Sequence, residues 1–195
     1  MLPSELRQTL EGALDAWDDG RDYLGMSAIG QCPLKLFFDL TEGRRKPNWL
    51  GRLLCHEGLV HEQDLLARCE MAGLKVIHKG RELVAPFDER FRGHIEGELD
   101  GALLEIKTAN ENGFEQVRWR GAKRKHAHQV QAYMRYGGYD RALIVYKKRE
   151  TGDLWVVELE RDDEIGERLE AKAKAILWAV DEGEAPACEC GYCRR

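Results

Sequence analysis

No run in this 195-residue sequence approaches eighteen apolar residues, so no membrane-spanning helix is expected. There is no internal repeat, low-complexity tract or linker, which excludes a repeat array and favours one folded unit. The opening stretch MLPSELRQTLEGALDAW lacks the features of a signal peptide, and the cytoplasm is the expected compartment. Net charge is −5, the wrong sign for a general nucleic-acid coat, although local patches matter more than the total. One segment lacks acid altogether. VRWRGAKRKHAH, residues 117–128, carries Arg118, Arg120, Lys123, Arg124 and Lys125.

What is present suits a globular chain, since 43% hydrophobic residues over this length can build one sizeable core. Residues 4–17 have an amphipathic helical pattern, with Ser4 as N-cap and Leu6, Leu10, Leu14 and Trp17 on one face. A second helix is expected after Ser27, through CPLKLFFDL to Gly43. A third, over about 48–72, carries the stripe Leu50, Leu53, Leu54, Gly58, Leu65, Leu66 and Cys69. Strands are expected at 74–84, 91–99 and 102–108, followed by a helix at 123–136. Strands at 142–148 and 154–160, joined by a Thr-Gly-Asp turn, precede a last helix at 162–182. The fold class is mixed α/β, a central sheet flanked by helices. One domain, 1–195, is expected, with a helical part at about 1–47, a core at about 48–183 and a cysteine-rich tail at 184–195.

The most informative stretch is GHIEGELDGALLEIKT, residues 93–108. Asp100-Gly101 is a two-residue hairpin turn signal, and it sets a register in which Leu99 opposes Ala102, Glu96 opposes Glu105 and His94 opposes Lys107. One face then carries Ile95, Gly97, Leu99, Ala102, Leu104 and Ile106, a core face. The other carries His94, Glu96, Glu98, Leu103, Glu105 and Lys107. Two carboxylates about 5 Å apart repel by ~3 kcal/mol at an effective dielectric near 20, so a cation belongs between them. Lys107 supplies one. A divalent metal suits the geometry better, and oxygen ligands select Mg²⁺ or Mn²⁺. On the third helix, His61 and Glu62 lie between Gly58 and Leu65 on the inward stripe, and a charge there needs a partner.

Together these residues resemble the PD-(D/E)XK nuclease superfamily, in its RecB-like and phage-exonuclease branch, which includes the iron–sulfur exonucleases associated with CRISPR adaptation. Glu105-Ile106-Lys107 resembles the E-x-K strand and His94-Ile95-Glu96-Gly97 the preceding H-x-D-G strand, with glutamate in place of aspartate. Gly58 to Glu62 resembles the G-x-x-x-E/H helix motif, and Gln129-Val130-Gln131-Ala132-Tyr133 the Q-x-x-x-Y helix. The resemblance implies a restriction-endonuclease-like core and a metal-dependent DNA exonuclease acting in recombination, repair or phage DNA processing. It implies metal ligands at Glu96, Glu105 and the Ile106 carbonyl, with Glu62 or His61 as a further one and Asp100 as the rival of Glu96. Lys107, Gln129 and Tyr133 would serve the attacking water or a phosphate, and the basic segment 118–125 would hold DNA backbone. Recombination or adaptation proteins would be partners. A non-catalytic DNA-binding or assembly subunit on the same fold, or a structure-specific endonuclease, is the alternative.

Six cysteines are many for a chain in a reducing compartment, where disulfides are not expected. Cys55 and Cys69 read as small core residues. Cys188, Cys190 and Cys193 form C-x-C-x2-C at the end of the sequence, and Cys32 lies far upstream. In the resembled branch one cysteine before the core and three after it bind a [4Fe–4S] cluster, which is the cofactor implied here. Structural zinc or free thiols are the other readings.

Overall fold

A computed structural model describes residues 3–13 and 21–191. In chain order the elements are α1 (Pro3–Gly12), β1 (Leu24–Gly25), a 3-10 turn (Met26–Ala28), α2 (Pro33–Thr41) and α3 (Trp49–Met71). Next come β2 (Val76–Ile77), β3 (Glu82–Val84), β4 (Phe91–His94), β5 (Gly97–Leu99) and β6 (Ala102–Ala109). The chain continues with α4 (Glu111–Arg120), α5 (Arg124–Gly137), β7 (Arg141–Lys148), β8 (Leu154–Glu160) and α6 (Asp163–Glu182). The expected class holds: mixed α/β with helices on the sheet faces. The strands form two sheets, ordered β2-β5-β6-β7-β8 and β1-β4-β3.

The hairpin turn forms as its residues dictate. Asp100 and Gly101 have φ of 50° and 75°, the left-handed pair that a tight antiparallel turn requires. The register Gly97↔Leu104, Glu98↔Leu103 and Leu99↔Ala102 follows. Beyond Gly97 the expectation fails. The predicted strand 91–99 breaks at Ile95-Glu96, and β4 belongs to the smaller sheet, where His94 opposes Glu82 rather than Lys107. Glu96 therefore sits in the gap between the two sheets.

Strand β6 is buried on both faces, which explains its uninterrupted apolar run. Leu104 and Ile106 join Leu65 and Val76 in a small core beneath α3. Leu103, Ala109, Ile144 and Tyr146 join Val130, Tyr133, Leu169 and Ile176 in the main core, toward α5 and α6. Leu103 thus belongs to the main core rather than to a polar face, and Ile95 lies in that same core, apart from Leu104.

Other expectations shift at the helices. α1 begins at Pro3, which puts Ser4 inside it; Leu6 is 48% exposed, and Leu14 and Trp17 lie outside the described residues. α2 starts at Pro33, not after Ser27, because proline is favoured at a first helical position and forces Cys32 into extended backbone. The 23-residue α3 is about 34 Å long, longer than the strands it covers, so Leu65 is buried while Leu50, Leu54 and Cys55 are exposed. Cys69 packs against the small core, as expected. The unexpected helix is α4. Asn-Glu-Asn-Gly reads as a turn, yet the Asn110 side chain accepts the Gly113 N–H and caps a helix there.

Candidate active site

Glu105 and Lys107 project from β6 toward the main core, two residues apart on one face of the strand. Glu105 is wholly buried, at 0% exposure. Its Oε1 takes hydrogen bonds from Lys107 Nζ and from Gln129 Nε2, the latter at 2.6 Å. Its Oε2 is buried with no hydrogen-bond partner, an unusual condition for a carboxylate oxygen. Glu96 comes from the gap between β4 and β5. Its Oε1 lies 3.7 Å from Lys107 Nζ, and its Oε2 accepts the backbone N–H of Ile106. That bond shows why the strand breaks here: the carboxylate takes over the donor that a continued β5 would have paired. The Ile106 carbonyl points to the same side of β6 as its N–H, past the end of the ladder.

The electrostatics follow from crowding. Burial raises the Glu96 pKa well above the ordinary carboxylate value, and Glu105 adds to the rise while Lys107 opposes it. Glu62 on α3 is also raised, first by burial and then through Glu105, against the pull of Lys107. Glu62 thus lies within electrostatic reach of both strand acids and of Lys107. Burial works against charge on Lys107, but Glu105 and Glu96 outweigh it and hold the ammonium protonated. Burial and Glu105 keep the Tyr133 hydroxyl protonated too, and it hydrogen-bonds with Gln129. Tyr133 leans on the backbone of Gly93: a Cβ there would fall 2.8 Å from its ring, so β4 needs glycine at that position.

Two residues beside Lys107 are absent from the sequence reading. Tyr146, opposite Lys107 on β7, shares a 2.9 Å hydrogen bond with His126 Nδ1 and accepts the Lys123 backbone N–H at 3.3 Å. Burial, reinforced by Lys107, Lys125 and Lys123, lowers the His126 pKa to about 3. The helical spacing of His126 with Gln129 and Tyr133, three and four residues apart, is the signal that could have found it.

The remaining predicted residues are dispersed. Asp100 is exposed in its turn, where its carbonyl accepts from Arg141. His61 lines a groove of about 470 Å³ with Leu54, Glu57, Val60, Arg149 and Glu150. Arg118 and Arg120 end α4; Arg118 bonds Glu115 at 3.1 Å and lies over the Trp155 ring, while Trp119 is 83% exposed and is no core residue. Lys123 is the α5 N-cap, followed by Arg124 and Lys125 in its first turn. The basic segment is therefore a helix–helix corner.

The cysteines form a second centre. Cys32 Sγ lies 4.0 Å from Cys188 Sγ, which lies 3.6 Å from Cys190 Sγ. Among the described residues these three are the one group of His, Cys, Asp or Glu whose ligand atoms all lie within 4.8 Å of one another. Cys193 lies outside the described residues. The spacing is too long for a disulfide. It matches the edge of a thiolate tetrahedron around a single ion, ~3.8 Å for metal–sulfur bonds of ~2.3 Å. The trio is a set of thiols that could hold a metal ion.

No protein-family model and no curated protein matches the sequence. Solved structures do. The alkaline exonuclease LHK-Exo from Laribacter hongkongensis, also solved in complex with dAMP, superposes with a TM-score of 0.67. At 18–19% identity the match covers 84% of this chain and 90% of that one. A phage-related exonuclease from Haemophilus somnus 129PT matches with a TM-score of 0.57 at 13% identity, over 88% of this chain and 97% of the other. No described helix is long and apolar enough to cross a membrane. The chain thus has the fold of these exonuclease structures, the fold that the resemblance to PD-(D/E)XK nucleases implied.

Proposed function

We propose that the chain is a PD-(D/E)XK deoxyribonuclease, a Mg²⁺- or Mn²⁺-dependent DNA exonuclease acting in recombination, repair or phage DNA processing. The carrying observation is Glu105: a fully buried carboxylate with one oxygen unpartnered, beside a second desolvated acid. Such an oxygen fits a hard cation. Glu96, Glu105 and the Ile106 carbonyl would hold the ion, with Glu62 as a further ligand and His61, on its separate groove, as a neighbour. A divalent ion there would polarise the scissile phosphate and acidify its attacking water.

The chain's own groups do the rest. Lys107, held charged by two acids, donates to the water and orients it; loss of its proton is opposed by both neighbours. Gln129 fixes the Glu105 carboxylate, and the protonated Tyr133 hydroxyl is a donor for water or phosphate. His126 stays neutral and adds no charge beside Lys107. Arg118, Arg120, Lys123, Arg124 and Lys125 hold backbone phosphates. At the cysteine centre the sulfur spacing supports one tetrahedral ion such as Zn²⁺, clipping residue 32 to the tail.

The test is digestion of end-labelled linear and circular DNA in Mg²⁺ or Mn²⁺. Linear strands should shorten and circular single strands persist, while Lys107→Ala and Glu105→Gln proteins lose at least about 100-fold in rate. Unchanged rates in both variants reject this site. One observation favours a non-catalytic subunit instead: Lys107 already forms ion pairs with both acids. Calorimetry separates the two readings, since a subunit of that kind would take up no Mn²⁺.

A further inference from the structure

Helix α5 has two working faces. His126, Gln129 and Tyr133 face β6 and β7. Arg124 and His128, four residues apart, face the opposite way, into a cavity of about 800 Å³. Arg168 and Lys172, also four residues apart, enter it from α6, and Gly30 to Pro33 with Cys190 close it. Two arginines, a lysine and a histidine thus converge with a single carboxylate, Glu189, on one open space beside the cysteines and outside the acid centre.

The charge there is not balanced. Lys172 is accounted for: it donates to the Gln31 carbonyl and lies within electrostatic reach of Glu189 and Cys32. Arg124 and Arg168 are exposed, and no described carboxylate forms an ion pair with either. Some arginines elsewhere do find acids, as Arg90 does with Asp88 and Asp181 and Arg135 with Glu170. His128 Nδ1 is buried without a hydrogen-bond partner, and His128 lies within reach of Arg124, Lys172 and Arg168. Helices α2 and α5 also begin here without a side-chain cap or an acid in the first turn. Their partial positive charge adds to that of the side chains.

We propose that this cavity is a phosphate subsite on the path of the DNA strand, with Arg124 and Arg168 gripping a backbone phosphodiester across the gap between α5 and α6. The inference rests on the nuclease reading and adds a location to it. A helix is about 10–12 Å across with its side chains, and a strand advances about 3.4 Å per nucleotide in a duplex. A strand cleaved at Glu105 therefore reaches the cavity about three nucleotides away, by passing the basic N-terminus of α5. The planar guanidinium fork suits a phosphodiester, and two forks facing each other hold it from both sides.

Binding of single-stranded oligonucleotides of two to twelve nucleotides, measured across salt concentrations without a divalent metal, tests this. Arg168 is the position to change, since it lies outside the acid centre and the basic corner. For long strands Arg168→Ala should bind about tenfold more weakly and lose roughly 0.7 from the slope of log K against log salt, the share of one phosphate contact. Arg168→Lys should restore the slope, and dinucleotides should bind both proteins alike. Loss of affinity for dinucleotides as well as long strands would mean the contact is to a mononucleotide end, and would overturn the strand-path assignment. An unchanged slope with normal DNA binding rejects the subsite and leaves the nuclease reading intact. No DNA binding by the native protein rejects that reading instead. Reduced metal content in Arg168→Ala with an unchanged slope would show that the cations serve the thiolates, and also overturns the proposal.

Discussion

The acid centre and the cysteine centre are built on opposite plans. Glu105, Lys107 and Gln129 come from a central strand and a packed helix; Glu105 and Gln129 are buried and Lys107 is partly so. Their positions are determined by the sheet before any ion arrives, and Lys107 fills in for the missing charge. Cys32, Cys188 and Cys190 come from the start of a helix and from the tail, 156 residues apart between Cys32 and Cys188, and two of the three are exposed. An ion bound there would tie such segments together. A site that must place charge within a few tenths of an ångström is made of core elements, whereas a site that joins chain ends can be made of loops.

Removing Lys107 should break this comparison most severely. In Lys107→Ala two buried acids face each other without an ammonium, a loss of about 3–5 kcal/mol by urea denaturation in metal-free buffer. A loss below about 1 kcal/mol would mean that the acids are protonated in the native state and that the centre is not charged as described. At the cysteine centre the expected effect is smaller. Chelation or Cys32→Ser should lower the melting temperature by roughly 5 °C and release one metal ion per chain, with no acid-labile sulfide. Four irons and four sulfides per chain would refute the single-ion geometry.

The smallest effect concerns His126, beside Lys107. Its folded pKa of about 3 lies below the unfolded value near 6.5, so the unfolded chain binds the proton more readily in between. The resulting stabilisation is complete above pH 6.5 and is lost as pH falls toward 3. Denaturation at pH 7 and pH 5 should show the decline, and His126→Gln should flatten it. An equal decline in the variant would assign the effect to other groups.

The hairpin 97–104 was legible residue by residue, because an Asp-Gly turn and a period of two leave one register. So were the long α3 and α6, the β7–β8 pair and the E-x-K strand. Less legible was everything that depends on a second sheet. Nothing local marks the break at Ile95-Glu96, since its cause is the Glu96 carboxylate taking the Ile106 N–H across the gap. Helix α4 was hidden for the opposite reason, a local turn signal that the Asn110 cap converts into a helix start.

By itself the amino-acid order determined which groups the chain carries: an acid and a lysine two residues apart on an apolar strand, a second acid before the hairpin turn, a glutamine and tyrosine one helical turn apart, and four cysteines outside the helical core pattern. Those are matters of period and turn chemistry, which act over a few residues. Which of them meet was decided only by the tertiary structure. Burial on both faces of β6 makes the Glu105–Lys107 pair obligatory, and the crossing of α5 over the sheet places Gln129 on one side and Arg124 on the other. Contacts between residues far apart in the chain depend on how layers pack, and no local pattern encodes that.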